Sequence, residues 1–183
     1  MKREADTLVV ISPHLEITAY DFRVRTADSE LAEKNREIIT VSTNKVLSSR
    51  YVLKHIEMPE LDKGKLLALF NELENLSGVS TMIIPQTFFP ALKEIENNQL
   101  AMIIVFHAEY NSLTTAIGAN TMANTWSYTP AARPRSDLRL IVFNMQTDEI
   151  IFYNRYKTRN YSANSPDDME RMTRKILKDI YYK

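Results

Sequence analysis

The chain of 183 residues contains no cysteine, which removes disulfides, thiol nucleophiles and sulfur-ligated zinc or iron–sulfur centres. Glycine is scarce: Gly64, Gly78 and Gly118 are the only three. A phosphate-cradling loop needs more backbone freedom than that. Charge of one sign is also lacking, since 23 Lys and Arg balance 23 Asp and Glu. The neutral balance gives no electrostatic case for nucleic acid or an acidic membrane surface, and Arg133 with Arg135 forms only a small basic cluster. No segment approaches the ~20 apolar residues of a membrane span. The longest apolar run is Leu100 to Phe106, and the opening MKREADTLVV has no secretory leader. Either the protein is cytoplasmic or a leader has been removed.

What is present suits one folded domain over 1–183, because 44% hydrophobic and 25% charged residues are ordinary for a chain that buries a core. Leu8–Ile11 starts a first strand running toward Thr18, followed by a polar connector, AYDFRVRTAD. Asp28 or Ser29 caps a helix from Glu30 to about Ser49, with Leu31, Ile38, Ile39 and Val46 as its stripe. YVLKHIEM reads as a strand that Pro59 ends. Glu60–Leu76 is an amphipathic helix with Leu66, Phe70 and Leu73 inward. TMIIP is a short strand or buried connector, and Thr87–Asn97 is a third helix with Phe88, Leu92 and Ile95 inward.

LAMIIVFHAEY is apolar at almost every position, as in a strand covered on both sheet faces. Two further strands, near 138–145 and 149–157, flank Gln146-Thr147-Asp148 and form an antiparallel hairpin. Ser165 caps a final helix, Pro166 fits its first position, and Asp168 stands where a capping box wants an acid. Met169, Met172, Ile176 and Ile180 share its inner face. The expected fold is a single α/β domain. A mixed sheet is packed by helices, with a C-terminal hairpin and final helix. Helices cover both faces, or helices cover one face and a partner the other.

Residues 111–136 form a long hairpin loop insertion, uncharged up to Arg133 and rich in Thr, Ala and Asn. Trp126, the only tryptophan, lies here with Tyr128. Long loops bearing aromatics often carry function, so Trp126, Tyr128 and Arg133 are the candidate partner contacts. The tyrosines at 153, 156, 161, 181 and 182 pack on sheet edges or serve an interface.

Each histidine is followed two residues later by glutamate: His14 and Glu16, His55 and Glu57, His107 and Glu109. On a strand, such residues share a face roughly 7 Å apart. If the strands are neighbours, imidazole and carboxylate could bind a divalent ion or titrate near neutral pH. The plainer reading is strand ends where polar groups emerge into solvent. No compact ligand motif supports the sharper one, so no metal, no cofactor and no catalytic residue is expected. Serines lack the glycine-flanked elbow of a hydrolase, and Asp167-Asp168 matches a helix N-terminus.

From Leu100 onward the sequence resembles a group of bacterial envelope proteins. The group comprises the curli-secretion lipoprotein family, the lipoprotein activators of penicillin-binding proteins and the amino-terminal domain of TolB. The phrase carrying the resemblance is Leu138, Leu140, Val142, Asn144, Thr147, Asp148, Glu149, Ile150, Ile151 and Phe152. Asn144 stands where the group has Asp, and Asp148 where it has Gly. The resemblance implies the TolB amino-terminal, anticodon-binding-like fold and a non-enzymatic module. That module would be periplasmic, outer-membrane anchored through a lipid absent from this chain, and would act on a protein partner or by self-association. The other readings are a small metal-dependent hydrolase built on the His-x-Glu pairs and a cytoplasmic ligand-binding domain.

Overall fold

The computed structural model describes residues 7–21, 24–57, 63–75, 100–111, 135–178 and 180. The anticipated third helix at 87–97, the segment TMIIP, and Trp126, Tyr128 and Arg133 lie outside the described residues.

A seven-stranded mixed sheet organises the described chain. Its strands are β1 (Thr7–Ile11), β2 (His14–Asp21), β3 (Val24–Ala27), β4 (Val52–Ile56), β5 (Leu100–Asn111), β6 (Arg135–Asn144) and β7 (Ile150–Thr158). The helices are α1 (Ser29–Leu47), α2 (Lys63–Asn75) and α3 (Pro166–Lys178). β5 is central. On one side it pairs in parallel with β1 and then with β2. On the other it pairs antiparallel with β6, which carries β7. β4 lies parallel against β1, and β3 antiparallel against β2. No helix among the described residues is long and apolar enough to cross a membrane.

The anticipated first strand is two. Pro13 has no N–H for a ladder, and the Ser12 N–H turns to Ile56 O at 2.9 Å. The polar connector is a correction: Tyr20↔Arg25 and Thr18↔Ala27 pair in a hairpin that includes β3. All four β3 residues are exposed, so no apolar alternation marked it. The expected loop is also shorter at both ends. Asn111 belongs to β5, while Arg135 and Ser136 belong to β6, pairing with Glu109 and Ala108.

Helix packs on both sheet faces. Leu8, Val10, Leu15, Ile17, Met102, Ile104, Phe106, Leu138 and Leu140 meet α1 and α3 on the first face. There Ile39, Leu47, Met169, Met172 and Ile176 are fully buried. Val9, Ile11, Ala101, Ile103, Val105, Ile141 and Phe143 meet Leu66, Leu69, Phe70 and Leu73 of α2 on the second face.

Local chemistry fixes the boundaries. The Asp28 side chain accepts from Leu31 N at 2.9 Å, capping α1. Tyr110 Oη donates to the same carboxylate at 2.5 Å, tying the end of β5 to the helix start. That hydrogen bond and the one from Leu31 N hold the Asp28 carboxyl below its usual range. Burial and the bond to Asp28 push Tyr110 up to about 12. Ser165 Oγ accepts from Asp168 N at 3.3 Å, as a cap should. The Asp168 carboxylate accepts instead from Ser162 N at 3.1 Å, one turn further back than a capping box requires. In the β6–β7 turn, Asn144 Oδ1 accepts from Gln146 N at 2.8 Å. Asp148 has φ 56°, a left-handed conformation that Asp tolerates and Gly adopts freely.

Candidate functional site

Among the described residues, helix packs only on the part of the second face nearer the start of β5, where α2 meets the apolar residues. The alternation then continues with polar side chains: His107 and Glu109 on β5, Arg139, Asp137 and Arg135 on β6, Arg155 and Lys157 on β7. β2 contributes His14, Glu16, Thr18 and Tyr20.

A one-residue offset puts the β2 set there. Val10 pairs with Met102 and His14 with Val105, so four steps along β1–β2 match three along β5. The extra residue inverts the alternation, as a bulge does. Even-numbered Leu8 and Val10 face α1 and α3 before Pro13, and odd-numbered Leu15 and Ile17 do so after it. His14 and Glu16 therefore share a face with His107 and Glu109.

Two of the three His-x-Glu pairs meet. Glu16 is in register with His107, and Thr18 with Glu109. His14 Nε2 lies 3.4 Å from Glu16 Oε1, and His107 Nε2 lies 3.6 Å from Glu16 Oε2. One carboxylate thus has an imidazole at each oxygen. Beside it, Tyr20 Oη donates to Glu109 Oε1 at 3.0 Å. Burial, then this bond, raises the Tyr20 hydroxyl above its ordinary value. The Arg25 guanidinium sits 4.9 Å over the Tyr20 ring. The third pair stands apart. His55 is in register with Val10, on the face toward α1, where Nε2 donates to Asn44 Oδ1 at 2.7 Å. Among the described residues no three ligating side chains gather into a metal-holding group.

An ion-pair network forms the border between the helix-packed and polar parts of this face. Arg155 Nη2 lies 2.5 Å and Arg139 Nη2 3.0 Å from Asp137 Oδ2. Glu74 of α2 reaches Arg155 Nη1 at 2.6 Å and Arg139 Nη2 at 3.3 Å. Burial alone would raise the Asp137 carboxyl, but hydrogen bonds from Arg155 and Arg139 outweigh it and hold the group below its usual range. The bond to Asp137 pushes the Arg155 guanidinium up. Phe70 packs beneath, its ring centroid 6.1 Å from that of Tyr153. Burial raises Tyr153, whose hydroxyl has no hydrogen-bond partner among the described residues.

Sequence reasoning missed this network and the Tyr20–Glu109–Arg25 group. Their signal was available: polar residues at every second position of His14–Tyr20 and Asp137–Arg139. The tyrosines divide. Tyr153 packs under α2, while Tyr156 and Tyr161 hold Lys175, whose Nζ lies 2.9 and 3.1 Å from their hydroxyls. That ammonium lowers the Tyr161 hydroxyl.

What the polar part of this face offers is recognition chemistry: carboxylates, imidazoles, a tyrosine and guanidinium groups on neighbouring strands. It adjoins Asn111 and Arg135, the ends from which the 112–134 connection leaves and returns.

No protein-family model matches the chain, and no curated protein does. Several solved structures show a distant similarity to the chain. Lipoprotein GNA1162 from Neisseria meningitidis is 10% identical, with a TM-score of 0.41 over 97% of this chain and 96% of that one. A neuraminyllactose-binding hemagglutinin homolog from Helicobacter pylori is 12% identical, with a TM-score of 0.41 over 97% of this chain and 84% of that one. The LpoB C-terminal domain from Salmonella enterica is 9% identical, with a TM-score of 0.35 over 86% of this chain and 85% of that one. At such scores no residue's role carries across to this chain.

Proposed function

We propose that the chain is a non-catalytic protein-binding or assembly module of the bacterial cell envelope, the soluble part of a periplasmic lipoprotein. The observation that carries the binding role is the polar part of the second face, where His14, Glu16, Tyr20, Arg25, His107 and Glu109 of β2, β3 and β5 gather apart from the described helices. The hairpin phrase Leu138–Phe152 supports the envelope setting. The partner meets this surface together with Trp126, Tyr128 and Arg133 of the adjoining connection. Trp and Tyr are the residues most often found as interface anchors, and Arg is enriched with them. The polar rim supplies orientation through hydrogen bonds and charge.

A photo-crosslinker at Arg25 tests the reading, with one at Arg174 on the outer side of α3 as control. In envelope extract or at raised protein concentration, Arg25 should give a discrete adduct and Arg174 none. Adducts at Arg174 alone would move the contact surface to the helical layer.

One observation favours a second reading, a metal-dependent hydrolase. His14 and His107 flank the Glu16 carboxylate, a donor set of the zinc type, although these side chains do not gather into a metal-holding group. The binding reading is preferred because each oxygen of Glu16 already has an imidazole neighbour and Glu109 is held by Tyr20. Elemental analysis of untagged protein separates the two, since one zinc per chain would establish the hydrolase as the better account.

A further inference from the structure

On the other side of the sheet, α1 passes over the carboxyl ends of the parallel strands β1 and β4. Between them lies an open crevice of about 520 Å³. Ligands of open α/β sheets characteristically lodge outside the carboxyl ends of parallel strands, and the volume falls within the ordinary range for such sites. The crevice is distinct from the polar part of the second face.

Its lining is amphipathic. Pro13, Ile56 and Val41 are its apolar part, and Val41 is 65% exposed on its helix. The charged part is acidic once internal bonds are counted. Arg36 Nε donates to Pro13 O at 3.2 Å, and its Nη1 is engaged by Glu33. His55 is committed to Asn44. Glu37 and Glu57 also line the crevice, and among the described residues no cation pairs with either.

An apolar wall beside two carboxylates that no described cation pairs is the complement of a lysine or arginine side chain. Such a side chain is an aliphatic stem ending in a cation, and it buries the stem while the head keeps polar company. A bare metal ion would leave the apolar wall unused, and an anion would meet repulsion. We propose that the crevice receives a lysine or arginine side chain of a protein partner, with the stem on Pro13, Val41 and Ile56 and the head at Glu37 and Glu57.

The test uses the full chain and short Gly-Ser peptides with blocked termini, carrying a single lysine, a single norleucine or a single glutamate. Amide NMR shifts at Val41, Ile56 and His55 report occupancy. The lysine peptide should shift them saturably, and added salt should weaken the effect. The double variant E37Q/E57Q should keep the fold and bind about tenfold more weakly, as expected when charge complementarity is removed. Equal binding of the norleucine or glutamate peptide would overturn the proposal, as would undiminished binding by the double variant. Absence of saturable binding would overturn it too. Self-association abolished by E37Q/E57Q would assign the occupant to a second copy of the chain and overturn the partner assignment. None of these outcomes depends on the Arg25 crosslinking result.

Discussion

Glu16 and His107 face one another across β2 and β5, with Glu16 Oε2 3.6 Å from His107 Nε2, because one extra residue at the Ser12–Pro13 break inverts the strand's alternation. Deleting Pro13 would remove the offset. Leu15 and Ile17 would then turn to the polar half of the second face, and His14 and Glu16 into the α1–α3 core. Burial of two aliphatic side chains is worth roughly 3–6 kcal/mol. The deletion should therefore leave the chain unfolded or molten by circular dichroism and thermal melting. A native-like melt would show that the strand can slip without cost.

The Asp137 network makes stability depend on acid. A carboxyl with a folded pKa below its unfolded value, ~3.9, contributes stability above that value. The contribution is lost as pH falls through the lower folded value. Denaturant melts should thus show stability declining below about pH 4. D137N should flatten that decline and cost ~1–3 kcal/mol at neutral pH, since it removes charge-assisted bonds to Arg139 and Arg155. An acid limb identical in the variant would place the titration elsewhere.

At the alkaline end Tyr110 acts with the opposite sign. Its hydroxyl is raised to about 12, above the ~10 of an unfolded tyrosine, so its contribution is present below the lower value and fades as pH rises through the higher. Ultraviolet difference titration should lose its latest-ionising component in Y110F. Persistence of that component would detach Tyr110 from Asp28. Removing the cap itself, by D28A, should cost about 1 kcal/mol.

The β6–β7 turn explains how the hairpin phrase tolerates its departures. Asn144 supplies the turn acceptor, and Asp148 adopts φ 56°. D148G should hold stability within about 1 kcal/mol. D148V should lose roughly 1–2 kcal/mol, because a β-branched residue meets its own carbonyl there. Equal melting of the two variants would show that the turn relaxes.

Much of the fold was legible because its cues were local. Ser165 and Pro166 announced α3, the run Leu100–Phe106 announced a doubly covered strand, and Asp28 marked the start of α1. β3 was not legible, because exposed Val24–Ala27 offers the sheet backbone pairing and no apolar face. For the site, the His-x-Glu spacing was visible, but which pairs meet was not. That outcome turns on the register of β2 against β5 and on an offset of one residue, both set by long-range packing. By the same measure His55 looked equivalent to His14 and sits on the opposite face.

The central claim is that the polar part of the second face is the contact surface of a binding module. The most direct measurement is capture by the Arg25 photo-crosslinker, repeated in a chain with residues 114–131 replaced by a brief Gly-containing turn. β5 and β6 pair over Leu100–Glu109 and can close across a shorter connection. The account predicts a folded protein by circular dichroism, a discrete adduct in the full chain, and its loss or sharp reduction in the shortened one. An undiminished adduct in the shortened chain would contradict the role given to Trp126 and Tyr128. Absence of any adduct at Arg25, with one zinc per chain bound at His14, Glu16 and His107, would contradict the binding module itself.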